Sequence, residues 1–67
     1  MMFRDPPRFS PGDRVRNKNP HSNQFGRVGR VERIYQGNPS PFLGVRYDGD
    51  FGLRDEGQNS FELEVKA

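Results

Sequence analysis

The chain has 67 residues, no cysteine and a single histidine. This length allows one domain near the lower limit for a chain that folds alone, and the composition excludes disulfides, thiolate metal sites and two-histidine motifs. No run approaches about 20 apolar residues, and the opening MMFRDPPRF has no signal-peptide core, so we expect a cytoplasmic protein without membrane contact.

Charge is unevenly distributed along the chain, although the net charge is only +2. Residues 1–46 hold nine Arg or Lys against three Asp or Glu, whereas residues 47–67 hold two against six. Nine of the eleven cations are arginine, whose planar guanidinium recognises phosphate or carboxylate and stacks on aromatic rings. The basic part therefore indicates an anionic partner, with a solvated surface of mixed charge as the alternative.

The first elements read in chain order are an arm and a short strand. Residues 1–11 contain three prolines and no periodicity, which predicts a flexible arm from which Phe9 can pack against the domain of residues 12–67. Val15 between two arginines predicts a strand with one inward residue, and the following KNPHSNQ predicts a polar loop.

The next segment, FGRVGRVERIY, predicts a bent strand. Val28 and Val31 have opposite parity, so a regular strand cannot bury both. A bulge at Gly29 would correct the phase, since glycine tolerates such a bend. The strand would then expose Arg27, Arg30 and Glu32.

After a second loop, QGNPSP, the segment FLGVRY alternates cleanly. It predicts a strand with inward Leu43, Val45 and Tyr47. Asp48-Gly49 is the strongest short hairpin signal in the chain. We expect Phe51 and Leu53 to continue the inward face of the returning strand.

The C-terminal part predicts a turn at DEGQNS and a last strand, FELEVK, with Phe61, Leu63 and Val65 inward; a 3₁₀ turn is the alternative for part of it. The chain thus has five short strands and no helix. It is predicted to be all-β: a small five-stranded, partly open barrel, because closure hides strand edges.

The order PGDRVR, GRVGRVERI, LGVRYDG and FELEV resembles an SH3-like barrel over residues 9–65. Within that class it is similar to KOW-type domains, which have a Gly-Asp-x-Val strand before Gly-x-x-Gly-x-Val. The matching positions here are Gly12, Asp13, Val15, Gly26, Gly29 and Val31.

This resemblance implies three kinds of function. KOW domains bind RNA or protein, and the similar small photosystem I subunit and its relative in the photosynthetic NADH-dehydrogenase-like complex help to dock ferredoxin. Plasmid-encoded type II dihydrofolate reductases open with a phrase similar to FSPGDRVRNK and build a shared pocket at a tetramer centre. The Val-Gln-Ile-Tyr stretch that these enzymes carry late in the chain is absent here. An oligomeric enzyme with a shared central pocket is therefore the third functional hypothesis.

The candidate binding set combines arginines with aromatic residues. Arginines neutralise phosphates and rings stack on bases, which makes a non-enzymatic nucleic-acid-binding module the first hypothesis. An acidic protein, such as a ferredoxin-like carrier, is the second. The set comprises Arg14, Arg16, Arg27, Arg30, Arg33, Arg46, Tyr35 and Phe42.

Two features are expected to decide between these partners. An exposed Tyr35 or Phe42 beside arginines favours bases, whereas arginines alone favour a protein. The acidic second half of the chain would repel phosphate if it shared the basic face. We predict no catalytic residue and no cofactor, because the single His21 has no third residue to orient a proton relay and so small a barrel offers no deep cleft. We predict no metal, because the acidic stretch DGDFGLRDE lacks the ligand order of an EF-hand. The oligomeric state is left open.

Overall fold

The fold is one antiparallel sheet with the strand order β4-β3-β2-β1-β5. The computed structural model describes residues 5–67; the first four residues of the predicted arm lie outside them. The strands are β1 (Arg14–Asn17), β2 (Val28–Tyr35), β3 (Phe42–Tyr47), β4 (Arg54–Gly57) and β5 (Phe61–Val65), with a 3₁₀ turn at Gln58–Ser60. The predicted all-β, five-stranded class is confirmed, and the sheet is not closed between β4 and β5. Within the described chain no helix has the length and apolarity needed to cross a membrane.

The core lies on the inner face of the sheet and is built mainly by β3. Leu43, Val45 and Tyr47 are at most 1% exposed, as the alternation of FLGVRY predicts. They pack with Val15, Val31, Phe61 and Phe9. Burial of these side chains is the main source of stability for so small a sheet.

The described part of the arm is hydrogen-bonded to the domain through the fully buried Gln58. The backbone N–H of Arg8 donates to Oε1 of Gln58 at 3.0 Å, and Nε2 of Gln58 donates to the carbonyl of Pro6 at 3.0 Å. A buried side-chain amide needs such partners, so this exchange fixes the arm beside the 3₁₀ turn. The domain boundary after residue 11 stays a prediction.

The predicted bulge at Gly29 is wrong. The β2–β3 register is regular from Gly29 to Val31, and the irregularity lies between Val31 and Arg33. Gly29 is required by close packing instead, since a Cβ there would lie 2.6 Å from the Arg46 carbonyl oxygen. The extra residue, Glu32, changes the phase of the strand, so that Arg33 and Tyr35 project outward on either side of the core-facing Ile34.

A turn is present at Asp48-Gly49, but the predicted short hairpin is wrong, because residues 48–53 connect β3 to β4. Gly49 has a φ of +91°, and the N–H of Asp50 donates to the carbonyl of Tyr47 at 2.9 Å. The inward placement of Phe51 is wrong, because its side chain is 99% exposed. Leu53 is only half-buried, and both residues lie in the connection that precedes β4, not in a strand. The strand forms instead from the sequence RDEG, part of the segment predicted as a turn.

The last strand buries only its first apolar residue. Phe61 is 2% exposed, whereas Leu63 and Val65 are 47% and 60% exposed, against the prediction that all three face inward. β5 is an edge strand paired only with β1, and its register with β1 shifts between Arg14 and Val15. After this shift Val65 lies opposite the outward-pointing Arg14, so it belongs to the outer face. Leu63 lies opposite the buried Val15 and stays half exposed because the open sheet brings no other strand across it.

Candidate functional site

Three arginines stand side by side on the outer face of the sheet. The strand registers pair Arg14 with Arg30 and Arg30 with Arg46. Each arginine has a fully buried valine as its neighbour in the strand, namely Val15, Val31 and Val45, so the arginines point away from the core. We call Arg14, Arg30 and Arg46 the arginine row. Like charges directly opposite each other in a sheet are destabilising, so the row requires anions.

Carboxylates satisfy the two ends of the arginine row but not its centre. Arg14 donates from both terminal nitrogens to the two oxygens of Asp48, at 2.9 and 2.7 Å. Arg46 donates from Nε and Nη2 to Glu32, at 2.5 and 3.2 Å. Arg30, exposed between them, has no side-chain hydrogen bond or ion pair to any of residues 5–67. These five side chains and Asp50 line one shallow depression, in which Arg30 is the arginine without a hydrogen-bonded carboxylate.

These pairings lower the pKa of both carboxyl groups. Hydrogen bonds from Arg14 are the main cause for Asp48, and those from Arg46 are the main cause for Glu32. The positive charge of Arg30 adds to the lowering at both acids. Asp48 and Glu32 therefore remain ionised at neutral pH and compete with any external anion for the ends of the row.

Two further predicted arginines also have carboxylate partners. Arg16 lies 2.6 Å from Oε1 of Glu64, and Arg27 lies 3.1 Å from Oδ1 of Asp50. Arg27 lies immediately before β2 and beside the β3–β4 turn. Its guanidinium carbon is 4.9 Å from the centre of the buried Tyr47 ring. It therefore caps the core, and the structure does not bring it into the arginine row.

The acidic second half of the chain does share the basic face. Asp48, Asp50 and Glu64 each neutralise an arginine from the first half. Arg33, by contrast, is exposed and has no ion pair with another described residue. Of the six predicted arginines, Arg30 and Arg33 are thus the two available to an external anion.

The predicted aromatic residues form a pair at the other end of β2 and β3. Tyr35 and Phe42 lie opposite each other in the register. A methyl group on Gly44 would be 3.2 Å from Cε2 of Tyr35, and one on Gly37 would be 2.9 Å from Cδ2 of Phe42. The two glycines therefore leave room for the rings. Phe42 is 45% exposed and Tyr35 is half-buried; we call them the ring pair.

The outer face of β2 brings the free arginines and the ring pair into one line. Arg30, Arg33 and Tyr35 all project outward from this strand, and Tyr35 lies five positions after Arg30. At about 3.3 Å per residue the line is roughly 15 Å long. This line, with Phe42 beside it, is the candidate site.

Sequence reasoning did not identify a pocket next to the ring pair. It encloses about 320 Å³ between the arm, the end of β2 and the β2–β3 loop. Its lining residues are Asp5, Pro6, Pro7, Ile34, Tyr35, Gln36, Gly37 and Pro41. The prolines are visible in the sequence as loop formers, but their convergence depends on the fold.

Metal ligation has no support in the part of the chain that the structure describes. Residues 5–67 contain no group of three or more His, Asp or Glu side chains placed to hold a metal ion. Asp48 and Asp50, which belong to the acidic stretch DGDFGLRDE, form ion pairs with arginines.

Comparison of the chain with protein-family models, with curated proteins and with solved structures finds no match. The resemblance to SH3-like and KOW-type domains therefore stays a prediction.

Proposed function

We propose that this protein is a non-enzymatic module that binds nucleic acid through the outer face of β2 and β3. The observation that carries the proposal is the line of Arg30, Arg33 and Tyr35 with the exposed Phe42 beside it. Unpaired guanidinium groups can bind phosphates, and neighbouring rings can stack on bases. The predicted KOW-type resemblance supports the same proposal, and cytoplasmic location stays a prediction.

An acidic protein is the second candidate partner, because carboxylates would also fit Arg30 and Arg33. Carboxylates of the second half share the basic face and disfavour phosphate there, except near Arg30 and Arg33, which have no ion pair with a described residue. The exposed ring of Phe42 favours nucleic acid over the acidic protein, since a purely electrostatic dock would use arginines alone. Loss of the ring pair would weaken a nucleic-acid complex and leave an arginine–carboxylate dock largely unchanged.

The decisive variant is the double substitution Arg30→Gln with Arg33→Gln. We expect its affinity for a short single-stranded oligonucleotide to fall about tenfold at low salt, because two phosphate contacts are lost. The slope of log affinity against log salt should become shallower by about 1.4, at about 0.7 per contact. Fluorescence anisotropy over a salt series measures both quantities.

The matched control is the double substitution Lys18→Gln with Arg54→Gln, which removes the same charge from exposed positions outside the candidate site. It should alter affinity and slope only slightly. If the two double variants bind the oligonucleotide with the same affinity and salt slope, Arg30 and Arg33 do not contact phosphate and the proposal fails.

Asp48→Asn should have the opposite effect on binding. Asparagine before Gly49 keeps the turn, while removal of the carboxylate charge releases Arg14 from its ion pair. We expect affinity for the same oligonucleotide to rise about threefold at low salt, with the gain lost at high salt by screening.

Glu62→Gln is the control for this substitution, since Glu62 is exposed on the edge strand β5. It removes one negative charge without releasing a member of the arginine row. An equal gain in both variants would indicate a general effect of net charge and would exclude Arg14 from the site.

A further inference from the structure

The pocket beside the ring pair is held together by hydrogen bonds within the chain. The N–H of Asp5 donates to the carbonyl of Pro39 at 2.7 Å, and the hydroxyl of Ser40 donates to the Asp5 carboxylate. Pro6 accepts the bond from the buried Gln58 on the other side. Asp5 and Pro6 are thus held on both sides, where they form one wall of the pocket.

The pocket continues the candidate site. Tyr35 belongs both to the ring pair and to the pocket wall. Gly37, which also lines the pocket, lies against the ring of Phe42. A strand whose phosphates contact Arg30 and Arg33 would therefore reach the pocket at its next positions along β2.

The composition of the wall selects a flat, neutral group. Proline rings, Ile34 and Tyr35 present apolar surface, and the charged residue of the lining is the acidic Asp5. A carboxylate repels phosphate but accepts hydrogen bonds from the amino groups of bases. The phosphates would stay at the arginines while a base enters the pocket.

We infer that this pocket receives one unpaired base, so that the ligand is single-stranded nucleic acid. The inference rests on the proposed function and narrows it. A volume of about 320 Å³ is at the small end of ligand pockets and too small for a base pair with its backbone. In a duplex the bases are stacked inside and cannot enter, whereas splayed bases of single strands are the usual targets of such pockets.

The test compares three probes of one sequence: an intact single-stranded oligonucleotide, the same strand with abasic sites, and its duplex. At low salt the intact strand should bind about tenfold more tightly than the abasic strand, because stacking is lost without the base. Tyr35→Leu should bring the intact strand down to the abasic level and leave abasic binding unchanged. Phe51→Leu, which alters an exposed ring outside the site, is the control and should change neither.

A second measurement does not depend on how well Tyr35→Leu folds. In amide NMR spectra of the unmodified protein, Ile34 and Gly37 should shift with the intact strand and remain unmoved with the abasic strand. Equal binding of the intact, abasic and duplex probes would overturn the pocket inference. The proposed function would still stand in that case if the double substitution Arg30→Gln with Arg33→Gln weakened the binding of all three probes. Binding of none of the three probes would overturn both.

Discussion

Gly29→Val is expected to abolish cooperative folding. A Cβ at this position would lie 2.6 Å from the carbonyl oxygen of Arg46 and 2.8 Å from both Cα of Tyr47 and Cγ1 of Val45. Two of these atoms are backbone of β3, so the side chain fits only if the β2–β3 ladder separates. Overpacking a core costs about 1–3 kcal/mol, and separation of the central strands adds to it. A domain of this size has only about 3–10 kcal/mol of stability.

A thermal melt followed by circular dichroism measures the effect, and Gly52→Val is its matched control. Gly52 has a φ outside the left-handed region and no atom within 4 Å of an added Cβ. The control should melt within about 4 °C of the unmodified protein, the shift that corresponds to 1 kcal/mol or less. A Gly29→Val protein that melts like the control would show that β2 and β3 do not approach so closely in solution.

The sequence predicted those strands whose two faces differ in polarity. In β3, Leu43, Val45 and Tyr47 form one continuous apolar face while the other face carries Arg46, and the structure buries the apolar face as expected. The Asp48-Gly49 turn was predictable because a turn with positive φ at its second central residue favours glycine there. Local chemistry determines both features, so local reasoning was sufficient.

The sequence could not predict strands that depend on their neighbours. β4 has the sequence RDEG with no apolar residue, and it forms because the exposed edge of β3 offers it backbone partners. In β5 the alternation of Phe61, Leu63 and Val65 predicts a buried face, but burial also requires another strand to cover it. That depends on whether the sheet closes, which periodicity does not report.

The composition of the candidate site was predictable, but its available charges were not. Arginine content identified the basic face, whereas the distinction between Arg14 and Arg30 depends on the hairpin that brings Asp48 across the sheet. These partners are 34 residues apart in the sequence. The same holds for the pocket, whose walls come from the arm and from the end of β2.

Asp13 has a structural role that its place in the Gly-Asp-x-Val pattern does not reveal. Its side chain is 1% exposed. One carboxylate oxygen accepts the N–H of Ala67 at 2.8 Å and the other accepts the N–H of Ser10 at 2.9 Å. These two backbone hydrogen bonds lower the pKa of Asp13 below its usual value of 3.8, assisted by the charge of Lys66. The ionised carboxylate therefore connects the arm, β1 and the residues after β5.

Asp13→Asn is expected to lower the free energy of unfolding by about 2 kcal/mol at neutral pH. The amide oxygen of asparagine can accept a hydrogen bond from only one of the two backbone N–H groups, and the amide NH₂ then faces the second N–H, donor against donor. Since the folded pKa lies below the unfolded one, the carboxylate stabilises the fold above pH 3.8 and loses this effect as the pH falls through the folded pKa. Denaturant titrations at a series of pH values should show the difference between the two proteins shrinking in acid. Asp55→Asn, at an exposed position of β4, should show only a small difference throughout. A penalty for Asp13→Asn that is independent of pH would mean that the charge of Asp13 does not stabilise the fold.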